Sequence, residues 1–68
     1  MKAIPQELRD HVAKMSDQEL SDTLMLARAY EKHYEDEAIV ARCIVIAQAC
    51  VQEAGNRVAA EYLETIER

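Results

Sequence analysis

From Ala38 to Val51 the chain reads AIVARCIVIAQACV, a run in which only Arg42 and Gln48 are polar. Its length, its interleaved alanines and the lack of turn residues from Glu35 to Ala54 select a helix, although Ile39, Val40, Ile44, Val45 and Ile46 are β-branched. A helix that is apolar around most of its circumference has to be covered around most of it. Arg42 and Glu53 interrupt the run short of the roughly 18 charge-free residues that a bilayer crossing needs, so no membrane span is expected.

At about 100° per residue the run carries two apolar stripes. Val40, Ile44, Ala47, Val51, Val58 and Tyr62 share one flank and form the expected core face. Ile39, Cys43, Ile46 and Cys50, spaced four, three and four residues apart, form a second stripe offset from the first. Two stripes need two neighbours. The rest of the chain can cover one, and another molecule must cover the other. This makes Ile39, Cys43, Ile46 and Cys50 the candidate self-association residues, and a two-fold homodimer the expected assembly.

Length sharpens the argument, because a chain of 68 residues is one domain near the lower limit at which a single core outweighs chain entropy. Cys43 and Cys50 cannot staple it, since seven residues along one helix place them about 10 Å apart, beyond disulfide reach. They read as small buried thiols in a reducing compartment, with a bridge between two copies as the alternative. One Gly and one Pro leave few turns, so an all-α fold follows. The opening MKAIPQEL lacks the long apolar core of a secretion signal, and a cytoplasmic location is expected.

Local signals divide the chain into three helices. Ile4, Leu8, Val12 and Met15 make the stripe of a short helix, α1, expected at about 5–14 with Pro5 in its first turn. Ser16-Asp17-Gln18-Glu19 is a capping box, with Met15 and Leu20 placed as a hydrophobic staple, and starts a second helix, α2, at about 17–34. Leu20, Thr23, Leu24, Ala27, Tyr30 and Tyr34 form its expected inner face, which leaves Met25 and Leu26 outside. Asp36 is an acceptable N-cap for a long third helix, α3, at about 37–67. Gly55-Asn56 is the one plausible break in α3, but Val58, Tyr62 and Ile66 keep phase across it. An unbroken α3 would be about 46 Å long, against a diameter of roughly 28 Å for a compact chain of this size.

Chemistry-bearing patterns are scarce. No Cys-x-x-Cys, His-Glu-x-x-His or paired Glu-x-x-His occurs, and His11 and His33 are not placed by sequence beside either cysteine. A single glycine cannot build a phosphate-cradling loop. The reading is therefore of a chain without catalytic residues, metal or cofactor. Thirteen acidic against eight basic side chains, a net charge of −5, argue against direct nucleic-acid binding.

What remains is recognition of another protein. The expected function is a non-enzymatic helical interaction module that binds and modulates or inhibits a partner, in the manner of the small acidic inhibitors that mobile elements direct at host machinery. Met25, Leu26 and Tyr34 are its candidate apolar contacts. Glu31, Glu35, Asp36 and Glu37 are candidates for steering toward a basic surface. Two rivals are an acidic mimic that blocks a nucleic-acid channel, and a small DNA-binding regulator using Arg9, Lys14, Arg28 and Lys32.

Overall fold

The computed structural model describes residues 4–66 and is all-α, with no strand among the described residues. Helix α1 spans Gln6–Ala13, α2 Asp17–His33 and α3 Glu37–Ile66. The C-terminal limit of α3 expected at residue 67 lies outside the described residues. Pro5 sits at the N-cap of α1 rather than inside it, and its carbonyl accepts from the N–H groups of Leu8 and Arg9, both at 3.1 Å.

Each helix boundary has a local cause. The Ser16 hydroxyl accepts from the Glu19 N–H at 3.1 Å while the Glu19 carboxylate accepts from the Ser16 N–H at 3.0 Å, so both arms of the capping box are present. The Ser16 backbone N–H, helped by the Ser16 hydroxyl, favours the charged Glu19 carboxylate and lowers its pKa from the ordinary value. Leu20 is buried, and Met15 packs against the same cluster. At the second boundary Tyr34 leaves helical geometry, and the Asp36 carboxylate accepts from the Ala38 N–H at 2.8 Å. α3 then runs unbroken through Gly55, which has no positive φ.

α2 packs antiparallel along the first two-thirds of α3, and α1 crosses near the middle. One core cluster joins Val12 and Leu20 to Ala49 and Cys50, with Ile4, Leu8, Met15, Leu24 and Ile46 around it. A second joins Ala27 to Cys43 and Ala47. Beyond Arg57 every described residue of α3 is exposed. The end of the helix overhangs its own chain, and the molecule measures 49 × 22 × 18 Å with a radius of gyration of 13.7 Å. A compact chain of this length would have a radius of gyration of about 11 Å.

The two stripes of α3 exchange the roles that periodicity assigned them. Cys43 and Cys50, expected to face another copy, are buried under α1 and α2, and Ile46 packs against both core clusters. Ile39 is exposed, to the same 38% as Ile44. Of the expected core face only Ala47 is buried, whereas Ile44, Val51, Val58 and Tyr62 face solvent. The cause is size. Cys43, Ala47, Ala49 and Cys50 let the neighbouring helices approach closely, which bulkier β-branched side chains would prevent. Tyr30 and Tyr34 are displaced likewise from the expected inner face of α2 and are half exposed.

Candidate interaction surfaces

One side chain on α3 reaches both other helices. Arg57 on α3 donates from Nη1 to Asp17 at 2.7 Å and from Nε to Glu53 at 3.0 Å. Its Nη2 donates to the Met15 carbonyl at 2.5 Å and lies 3.4 and 3.5 Å from the carbonyl oxygens of Val12 and Ala13. These carbonyls close the C-terminal end of α1, where a cation meets the negative end of the helix dipole. Asp17 opens α2, where an anion meets the positive end. The ion pairs with Asp17 and Glu53 hold the guanidinium firmly protonated. The sequence reading passed over Arg57, although the Glu53–Arg57 spacing of four was a usable signal.

With that face turned inward, the outward side of α3 has an unusual composition. Arg42, Glu53, Arg57, Glu61 and Glu64 all fall within a sector of about 100°, the sector that also carries Ile46 and Cys50. The opposite sector holds Val40, Ala41, Ile44, Gln48, Val51, Gly55, Val58, Tyr62 and Ile66, with no charged residue between Val40 and Ile66. A solvent-facing helix side normally carries charge. Here Ile44 is 38% exposed, Val51 50%, Val58 66% and Tyr62 65%. Over Gly55, in the middle of this face, a Cβ would meet nothing within 4 Å.

A second apolar surface lies on α2. Leu26, Tyr30 and Tyr34, each four residues from the next, share one flank, and the two tyrosine rings meet edge to face with centroids 5.7 Å apart. Leu26 is 54% exposed and both tyrosines 47%. The exposed acids Glu35, Asp36 and Glu37 follow directly at the α2–α3 turn. The structure does not bring the remaining candidates to this flank. Met25, though exposed, is turned about 100° from Leu26, toward the side that carries Arg28 and Lys32. Glu31 is partly buried and lines a depression with Arg28, Lys32 and Ile44.

Both cysteines are free and buried, and burial raises the Cys50 thiol, which disfavours the nucleophilic thiolate. No group of three or more His, Cys, Asp or Glu side chains is placed to hold a metal ion among the described residues. No family model matches this chain, and no curated protein or solved structure is detectably similar to it.

Proposed function

We propose that this chain is a non-enzymatic helical module that binds another protein in the cytoplasm and modulates it, using the Leu26, Tyr30 and Tyr34 flank of α2 as the contact. The observation that carries the reading is the exposure of these three neighbouring side chains beside the acidic turn Glu35–Glu37. Aromatic residues that are half exposed in the free chain become anchors when a partner desolvates them. The acids beside them suit a partner whose apolar cleft is edged by Lys or Arg, where they would speed encounter more than they deepen affinity.

The test is capture with two baits, the native chain and a Leu26→Asp, Tyr30→Ala, Tyr34→Ala variant, followed by titration of the protein retained by the first alone. The expected result is at least about tenfold weaker binding by the variant, with native binding that persists in about 0.5 M salt. A partner retained equally by both baits would refute the assignment of this flank. Release by moderate salt together with competition by duplex DNA would instead support an acidic mimic of nucleic acid.

A further inference from the structure

We infer that the outward face of α3 is the seat of a second copy of this chain, paired antiparallel across Ile44, Val51, Gly55, Val58 and Tyr62. This surface is distinct from the α2 flank proposed for a partner, and the inference does not depend on that proposal.

Area is the first argument. The chain exposes 5651 Å², whereas a monomeric protein of 7.7 kDa exposes about 4,300 Å². The excess follows from the α3 overhang and the uncovered stripe. The exposed parts of Ile44, Val51, Val58 and Tyr62, at 38, 50, 66 and 65%, amount to on the order of 400 Å² per chain, so a symmetric pair that also draws in the adjoining edge of α2 would bury on the order of 1,000 Å², the lower bound for a specific interface. Spacing is the second argument. Ile44, Gln48, Val51, Gly55, Val58 and Tyr62 alternate four and three residues apart, the seam of a two-helix contact. Open space above Gly55 leaves room for a side chain from the facing helix.

Charge selects the direction. Arg28, Glu31 and Lys32, one net positive charge, line a depression with Ile44, and Glu61 lines another with Val58 on the same edge of the stripe. In an antiparallel pair Tyr62 of one copy lies over Ile44 of the other, Val51 over Gly55 and Val58 over Gln48. Glu61 then meets Arg28 and Lys32 of the second copy, twice by symmetry. A parallel pair would place each Glu61 level with its own counterpart and away from the net positive edge of the other copy. Antiparallel pairing also lays each overhang along the α2–α3 unit of the other chain, which completes a four-helix arrangement with Met25 at its edge. By length and hydropathy alone α3 could cross a membrane. Its polar sector is acidic on balance, which disfavours an anionic lipid surface as the occupant of the stripe.

Sedimentation equilibrium tests the pairing. The expected mass is twice 7.7 kDa for the native chain at about 0.1 mM, and 7.7 kDa for Val51→Glu and Val58→Glu with helical circular dichroism retained. Both residues are exposed in the single chain, so folding survives the change. Direction is read by mixing Ile44→Cys and Tyr62→Cys chains under mild oxidation, with disulfide expected between the two variants rather than within either. A folded native monomer at that concentration, an unchanged dimer in both Glu variants, or binding of the stripe to phosphatidylcholine vesicles in place of self-association would each overturn the inference. Preferential Tyr62→Cys self-linking would overturn its antiparallel form.

Discussion

The Arg57 guanidinium and the Asp17 carboxylate meet at 2.7 Å across 40 residues of sequence, yet the carboxylate side chain is 91% exposed. An ion pair so open to water contributes little by itself. The weight of the contact falls on the bonds from Arg57 to the last carbonyls of α1, which have no other partner of comparable charge. Arg57→Met is therefore expected to lower the thermal midpoint by several degrees and loosen α1, whereas Asp17→Asn has a much smaller effect. Equal losses in the two melts would return the credit to the ion pair.

The capping box gives a second prediction. Ser16→Ala removes one of its two arms and should cost about 1 kcal/mol, read by denaturant titration. The Glu19 pKa is lower folded than unfolded, so its contribution is present above the unfolded carboxylate value and is lost as pH falls through the lowered one. Glu19→Gln should flatten part of the acid limb of the stability profile. An acid limb that does not change would show that other carboxylates govern it.

For the Cys50 thiol the sign is opposite. Burial raises the Cys50 pKa, so the folded chain holds that proton more tightly and loses stability as pH rises above the unfolded thiol value of about 8.5. Alkylation of Cys43 and Cys50 by iodoacetamide should proceed only as fast as the chain opens. Rapid labelling in native conditions would contradict the packing of both clusters.

Gly55→Ala should stabilise the single chain by about 1 kcal/mol, since Gly55 is a mid-helix glycine with open space where the methyl would go. The measurement is a urea melt at concentrations low enough to hold the chain monomeric. A loss of stability would mean that something close by requires the glycine.

The helix boundaries were legible in the sequence because their chemistry is local. Ser16 and Glu19 are three residues apart, Asp36 acts two residues ahead, and Val12 and Leu20 announce themselves by spacing. The inward face of α3 was not legible, because periodicity finds two apolar stripes and does not rank them. Packing ranks them by volume, placing Ala47, Ala49, Cys43 and Cys50 where helices must come close and leaving Ile44, Val51 and Val58 outside. Arg57 settles the rotation too, through partners 40 and more residues away that no local window contains. The candidate contacts scattered for the same reason: Leu26 and Tyr34 share a flank, whereas Met25 and Glu31 turn toward Arg28 and Lys32.

Outboard of Arg57 the backbone of α3 is held by its own ladder alone, without the tertiary packing that supplies most helical stability, so it opens more readily than the packed turns before it. Amide protons there should exchange with deuterium along a gradient that steepens toward Ile66 when the chain is dilute. Whatever settles against Val58 and Tyr62 would freeze that gradient, so the rate of isotope uptake in this stretch is a direct gauge of occupancy.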